Sequence, residues 1–315
     1  MYAVGIDIGG TKIAGAIVDD GGRIVSQLSR PSPASNAQHM EDTVVELIAE
    51  LSAGRRIVAA GVAAAGFIDK DQASVYYAPN IAWRNEPLRD KLEARVPLPI
   101  VIENDANAAG WAEYRFGAGR NVTHMTMLTL GTGVGGAIVI NGELFRGGFG
   151  AGAEIGHLRV VDNGLLCGCG AHGCIEQYGS GRALMRFAAE VSHDPVLGQP
   201  LAAYRGADGT LDPGGVKKLL EAKDPGAISA LQSVGSWVGI ACASLSAVLD
   251  PQLYVIGGGV AAAGDEILRP IRASFLENVS AKGFHPEPEF AIAELVNDAG
   301  VVGAADLARR HAESL

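Results

Sequence analysis

Residues 2–22 read Tyr2-Ala-Val-Gly-Ile-Asp7-Ile-Gly-Gly10-Thr11-Lys12-Ile-Ala-Gly-Ala-Ile-Val18-Asp-Asp-Gly-Gly22, and residues 125–142 read Met125-Thr-Met-Leu-Thr-Leu130-Gly131-Thr132-Gly133-Val-Gly-Gly136-Ala-Ile-Val-Ile140-Asn141-Gly142. Each is an apolar run, a glycine turn, a second apolar run and a closing turn, the pattern of a β-hairpin. The first predicts strands over 2–8 and 13–18 with a turn at 19–22. The second predicts strands over 125–130 and 137–140 around a glycine loop at 131–136. Shifting the chain by 121 residues brings Gly10-Thr11 onto Gly131-Thr132, residues 15–18 onto 136–139 and Gly21 onto Gly142, seven identities in twelve positions. That spacing is too long for a solenoid repeat and predicts two lobes built alike, each offering a glycine turn to a central cleft. Chance likeness of two glycine-rich hairpins is the rival reading.

Outward from these hairpins, the pattern predicts a helix over 40–51, a strand over 57–62, and a strand over 100–102 leading into a helix from about 106. Helices follow near 182–191, 216–222 and 228–249. A strand at 253–256 then runs into Gly257-Gly258-Gly259, and a last helix starts near 301. Strands alternating with helices define an α/β protein. With 315 residues the chain has room for two domains. We expect a small α/β lobe, residues 1–109 plus the C-terminal helix 301–315, and a large α/β lobe, 110–300, containing a cysteine loop. A hydrophobic share of 48% against 19% charged excludes a disordered chain. The 43 glycines, about twice the usual share, point to tight turns and close backbone approaches.

The net charge of −10 opposes binding to nucleic acid or to an anionic membrane. The uncharged stretch 225–249 has the length of a membrane span, but it carries Gln232 and five serines and opens with Pro-Gly, so it reads as a buried or interface helix. The N-terminal residues have no basic segment and reach Asp7 at once, unlike a secretory signal, and we expect a cytoplasmic protein.

Three of the four cysteines fall within eight residues, Cys167-Gly-Cys169-Gly-Ala-His172-Gly-Cys174, with His157 ten residues upstream. A cytoplasmic disulfide is disfavoured, whereas zinc takes Cys and His ligands tetrahedrally. Three thiolates and one imidazole leave no open position, so such a metal is structural. His157 and His172 are rival fourth ligands. Cys242, in an apolar helix, reads as a core cysteine. The run 131–136 formally matches GxGxxG, but that fingerprint must open a helix, and here the chain continues as a strand. The P-loop pattern is also missing from the sequence. What remains is a pair of turns whose N–H groups can line a phosphate, with Thr11 and Thr132 as hydroxyl donors, Lys12 as a charge and Asp7 placed to suit Mg²⁺. Ordinary turns are the bland alternative. Gly257 to Gly259 can receive a nucleotide or simply allow close helix packing. In Glu103-Asn104-Asp105-Ala-Asn107, where a strand gives way to a helix, Asp105 is either an N-cap or a carboxylate able to take a proton from an attacking hydroxyl. Glu154 and Glu176 bracket the cysteine loop, suited to the hydroxyls of a sugar.

Taken together, these residues resemble the ROK family of sugar kinases and repressors, over nearly the whole chain. The resemblance rests on Asp7-Ile-Gly-Gly-Thr-Lys12, Glu103-Asn-Asp-Ala-Asn107, Leu130-Gly-Thr-Gly-Val-Gly-Gly136, Glu154-Ile-Gly-His157 and Cys167-Gly-Cys-Gly-Ala-His-Gly-Cys-Ile-Glu176. It implies the duplicated actin and hexokinase (ribonuclease H-like) fold with ATP bound between the lobes, and ATP-dependent phosphorylation of glucose to glucose 6-phosphate. Asp105 is then the catalytic base. Gly66, Asn80, Asn104, Glu154, His157 and Glu176 lie at the sugar. Asp7, Gly9, Gly10, Thr11, Lys12, Thr132, Gly133 and Gly257 to Gly259 lie at ATP and Mg²⁺, and His157, Cys167, Cys169 and Cys174 hold structural zinc. One departure is Ala65, where the sugar-side loop often has proline. The family also implies a homodimer or homotetramer. Other hexoses or N-acetylhexosamines, and polyphosphate in place of ATP, stay open, as does a sugar-sensing repressor. Against a repressor stand the Asp7 motif, which begins almost at residue 1, and the acidic net charge.

Overall fold

The computed structural model describes all residues, Met1–Leu315. The first half contains β1 (Tyr2–Ile8), β2 (Lys12–Val18), β3 (Ile24–Pro31), α1 (Ala37–Ser52), β4 (Ile57–Ala64), β5 (Phe67–Ile68), β6 (Val75–Tyr77), β7 (Arg84–Glu86), α2 (Leu88–Glu93), β8 (Ile100–Asn104) and α3 (Asp105–Phe116). There follow β9 (Met125–Leu130), β10 (Val134–Ile140), β11 (Glu143–Leu144), α4 (Glu176–Gly179), α5 (Gly181–Val191), α6 (Gln199–Ala202), α7 (Pro213–Glu221), α8 (Pro225–Leu249), β12 (Leu253–Gly257), α9 (Asp265–Asn278), β13 (Glu289–Ile292) and α10 (Ala299–Glu313). Two five-stranded sheets have the orders β3-β2-β1-β4-β8 and β11-β10-β9-β12-β13. Position by position these orders correspond, so the 121-residue repeat is a duplicated sheet, not a coincidence of glycine-rich turns.

The chain packs as two compact units. One comprises residues Met1–Met125, Ala137–Ala153 and Glu294–Leu315, the other Thr126–Gly136 and Glu154–Ala293. Helix α3 spans the division expected at residue 109 and belongs whole to the first unit, because it packs on α10.

In the first unit, β1 runs antiparallel to β2 and parallel to β4, and β4 is parallel to β8. Alternation along β1 sends Val4, Ile6 and Ile8 to one face, against Met40, Val44, Leu47, Ile48 and Leu51 of α1. Those five recur at helical spacing, and Asn36 caps α1 by accepting from the His39 N–H at 3.0 Å. The opposite face is built of small residues. Ala3, Ala16, Ala112, Ala299 and Ala305 cluster there, as do Ala63, Ala108 and Ala304. Backbones therefore touch. A Cβ on Gly61 would lie 2.0 Å from the Ala304 carbonyl oxygen, and one on Gly303 would lie 1.8 Å from that of Ala108.

The second unit explains its uncharged helix in the same way. Asp224 caps α8 through the Gly226 and Ala227 N–H groups, both at 3.0 Å. One face of α8, including Ala230, Leu231, Val234 and Val238, is buried. Cβ atoms on Gly235 and Gly239 would collide with Pro270 and the Ile271 carbonyl of α9. Small residues in α8 are thus fitted to a close helix crossing, and half of its apolar window is buried.

Candidate functional site

In the first unit the candidate residues gather at the carboxyl end of three parallel strands, where α/β sheets place their binding crevice. The register aligns Asp7 with Ala63 and Ala63 with Glu103, and in the next row Ile8 with Ala64 and Ala64 with Asn104. The small Ala63 and Ala64 separate the acidic ends of β1 and β8, two strand spacings of about 4.8 Å apart. Helix α3 starts at once after β8. Its N-cap is Asn104, whose side chain accepts from the Asn107 N–H at 3.0 Å. Asp105 is the first helical residue and not the cap, so the bland reading of that carboxylate fails. Burial raises its pKa, partly offset by the N–H groups of Ala106 and of Asp105 itself. Burial, followed by the charge of Asp105, pushes Asp7 up to about 6 against a lowering influence of Lys12. Gly300, in the first turn of α10, lets that helix close on Asp7, since a Cβ there would lie 2.6 Å from Oδ2.

Asn104 Nδ2 donates to the Gly66 carbonyl at 3.1 Å. Gly66 has no room for a side chain, because a Cβ would sit 2.6 Å from the Tyr77 carbonyl oxygen. Asn80 is exposed on the loop between β6 and β7, which Arg84 fastens by donating to the Ala78, Ile81 and Trp83 carbonyls. The turn at Gly9 and Gly10 is closed by the Gly9 N–H on the Lys12 carbonyl at 3.0 Å, with Thr11 and Lys12 exposed. Sequence reading gave no role to the buried Glu103, which accepts from Gln72, the Asn104 N–H, Asn107 and Arg146. A lone acid in the apolar strand Ile-Val-Ile-Glu-Asn was the available signal.

In the second unit His157, Cys167, Cys169 and Cys174 converge, their ligand atoms all within 4.8 Å of one another. Cys169 Sγ and Cys174 Sγ are 3.7 Å apart, and Cys167 Sγ lies 3.7 Å from His157 Nδ1. Tetrahedral zinc with bonds of about 2.3 Å to sulfur and 2.05 Å to nitrogen requires separations of about 3.8 and 3.6 Å, so this donor set fits the ion. His172 is exposed and engages the Gly164 carbonyl at 3.0 Å, outside the cluster. Gly173 permits the fold of the loop: its φ is +79°, and a Cβ would lie 1.7 Å from the Val161 carbonyl oxygen. Burial pushes the Cys174 thiol up to about 12, and the neighbouring thiols add to this, whereas the Ala171 N–H lowers Cys169.

Glu176, at the start of α4, stands between this cluster and the glycine turn. Its Oε1 lies 3.7 Å from Cys167 Sγ, and its Oε2 accepts from the Val134 N–H at 3.3 Å. Gly133 faces it directly. Arg182, another residue the sequence reading passed over, donates to the Thr132 carbonyl at 2.9 Å and to Glu176 at 3.3 Å. Glu154 is exposed and follows Ala153, which holds a φ of +66°. Gly258, with φ +82°, lies against the backbone of Leu130, and Gly257 against Met127, so the end of β12 is seated beside β9. After Gly258 the chain makes a 3-10 turn over Gly259–Ala263 before α9.

A duplicated sheet of this order, with carboxylates at its strand ends and glycine turns between paired strands, has the actin and hexokinase type of fold. The chain belongs to the ROK family, whose model matches residues 3–311. Among its relatives is a glucokinase of Streptomyces coelicolor, 44% identical over 97% of both chains. A glucokinase of Halalkalibacterium halodurans is 37% identical over 100% of this chain and 97% of its own. Among solved structures, a ROK family glucokinase from Streptomyces griseus in complex with glucose and AMPPNP superposes with a TM-score of 0.86. It is 44% identical, with 98% of this chain and 100% of that one covered.

Proposed function

We infer that this protein is an ATP-dependent glucokinase that transfers the γ-phosphoryl group to the primary hydroxyl of glucose. The observation that carries the reading is Asp105, a carboxylate at a strand's carboxyl end, relieved of capping by Asn104 and raised in pKa by burial. Such a group accepts the hydroxyl proton as the sugar oxygen attacks phosphorus in line and the bond to the ADP oxygen breaks. By the family resemblance, Gly66, Asn80, Asn104, Glu154, His157 and Glu176 are the residues for the sugar hydroxyls. The turns at Gly9 to Lys12 and at Thr132-Gly133 line the phosphates with N–H groups, and Gly257 to Gly259 receive the nucleoside. The charge of Asp105 adds to the burial that raises Asp7, a combination that suits a divalent cation, and Asp7 is the residue to hold Mg²⁺, which would neutralise phosphate charge when bound. His157, Cys167, Cys169 and Cys174 hold zinc, which supplies rigidity to the loop. Fixing the loop fixes His157 and Glu176 for the sugar.

We assign the protein to the cytoplasm, as a homodimer or homotetramer with no nucleic-acid partner. The test is ADP formation with ATP and Mg²⁺ across glucose, mannose, fructose and N-acetylated hexoses against a no-sugar control. Turnover mainly on glucose is expected. Turnover on another hexose changes the substrate and keeps the chemistry, whereas sugar binding without turnover overturns the kinase reading in favour of a sensor.

A further inference from the structure

We propose that Arg146, through its ion pair with the buried Glu103, is a positioning residue for phosphoryl transfer: it ties the end of β8, which carries Asn104 and Asp105, to the loop leading into Glu154. This inference rests on the kinase reading. Glu103 is 2% exposed, and Arg146 Nε meets its Oε2 at 2.7 Å. The same carboxylate takes the Gln72 side chain at 3.0 Å through Oε2. Through Oε1 it takes the Asn104 N–H at 3.0 Å and the Asn107 amide at 3.1 Å. It therefore fixes both residues that define the first turn of α3, the cap and the one whose N–H the cap engages, and with them the backbone bearing Asp105. A buried carboxylate accepting from three polar donors still needs a cation to hold its charge, and Arg146 is the one in contact.

The partner segment is equally constrained. The Gly152 N–H returns to the Arg146 carbonyl at 2.8 Å, closing residues 146–152 into a compact turn. Gly150, at φ +94°, presses on the backbone of Ile68 to Lys70, where a Cβ would come within 2.4 Å. Only the Arg146 side chain carries this built loop to Glu103 through a charged contact. Two segments far apart in sequence thus share one buried ion pair, and each leads within two or eight residues to a group assigned to the sugar or its proton. Misplacing reacting groups by about 1 Å costs about 100-fold in rate, and loss of the pair acts on that geometry.

The test uses the full chain and follows kcat and the KM values for glucose and ATP in the wild type, Arg146→Met, Arg146→Lys, Glu103→Gln and the Glu103→Gln/Arg146→Met double variant, with thermal melting of each. Expected for Arg146→Met is a loss of about 100-fold in kcat/KM for glucose, with the KM for ATP within about threefold of wild type. Arg146→Lys should recover part of the loss, because it keeps the charge but not the Nε geometry. The double variant should lose no more than the worse single variant, as for one shared link. A glucose kcat/KM within about threefold of wild type for Arg146→Met, a KM for ATP raised as much as kcat/KM for glucose falls, or multiplying effects would overturn the proposal. If Arg146→Met does not fold, Arg146→Lys is judged by the same split between glucose and ATP. A wild-type protein inactive on every hexose would instead overturn the kinase reading, and this inference with it.

Discussion

Replacing Gly133 with alanine should damage sugar handling, although the residue lies in a turn that reads as a phosphate contact. A Cβ there would stand 2.3 Å from Glu176 Oε2, where ordinary contact begins near 3.4 Å. The carboxylate must then withdraw by about 1 Å. It is the far end of a side chain, so it can yield without unfolding anything. Gly133 does not use the left-handed region that favours glycine, so its backbone accepts alanine, and reduced freedom of the unfolded chain adds about 0.4–1 kcal/mol of stability. What withdrawal loses is position. Glu176 gives up its 3.3 Å bond from the Val134 N–H, a bond to a charged acceptor worth about 1.5–3 kcal/mol, or about 10- to 150-fold in a rate or binding constant. The lost bond outweighs the chain-entropy gain, so we expect Gly133→Ala to lose about 0.5–2.6 kcal/mol of stability and melt somewhat below the wild type, while kcat/KM for glucose falls by about 30- to 100-fold. The assay is steady-state kinetics with each substrate varied at saturating levels of the other, together with differential scanning fluorimetry. A rise confined to the KM for ATP, with glucose parameters unchanged, would refute the reasoning and return the turn to a phosphate-only role. An unchanged melting temperature would show that Glu176 keeps its bond to the Val134 N–H.

Asp105→Asn keeps the helix cap, which belongs to Asn104, and should lower kcat by about 100- to 10,000-fold while calorimetry still detects glucose binding; near-wild-type turnover would remove Asp105 as the base. Since burial raises its pKa and the base works ionised, activity should fall on acidification at a pH above the ordinary aspartate value of about 3.9, and an acid limb at that ordinary value would contradict the assignment. The linkage runs the same way. A folded-state carboxylate that holds its proton more tightly than the unfolded chain does loses stability as pH rises between the two values, so chemical denaturation of Asp105→Asn should show a gain over wild type above that interval. Mass spectrometry should find one zinc per wild-type chain and none in Cys169→Ser, with glucose binding weakened by about 10- to 100-fold, while stoichiometric zinc in that variant would break the ligand set. Gly61→Val forces a side chain into a gap of 2.0 Å against the Ala304 backbone and should cost about 1–3 kcal/mol or more in urea unfolding, whereas a loss below about 0.5 kcal/mol would deny the close seating of α10 on the sheet.

The duplicated sheet was legible because its signal is local. Strand period, glycine turn and hairpin closure all lie within some twenty residues, and the repeat compares one such window with another. Metal-ligand spacing was legible for the same reason, since packing alone rarely gathers three cysteines within eight residues. Spacing left the two histidines as rivals and the family resemblance favoured His157; the fold sends His172 to the Gly164 carbonyl and leaves His157 beside Cys167. Element edges shifted where neighbours decide them. The second hairpin's return strand begins at Val134 and not at 137, and the helix cap falls on Asn104 and not on Asp105. The three short strands of residues 67–86 escaped detection, being too short for a period of two to show.

Glu103, Arg146 and Arg182 were illegible for a deeper reason: each acts on a residue far away in the chain, and nothing near it in sequence names that residue. Arg146 pairs with an acid 43 positions earlier, and Arg182 reaches Thr132 across 50. A sequence can announce that a glutamate is out of place in an apolar strand, but its meaning depends on which donors the fold gathers around it. The same holds for the glycines. Gly133 serves its turn by lacking a side chain, yet the space it leaves is filled by Glu176, so one absent methyl group bears on the turn and on the Glu176 carboxylate together. In this fold, side-chain absence at one glycine and charge at one buried acid perform the same task. The first bears on Glu176, 43 residues on in the chain, and the second on the backbone of Asp105, two residues on.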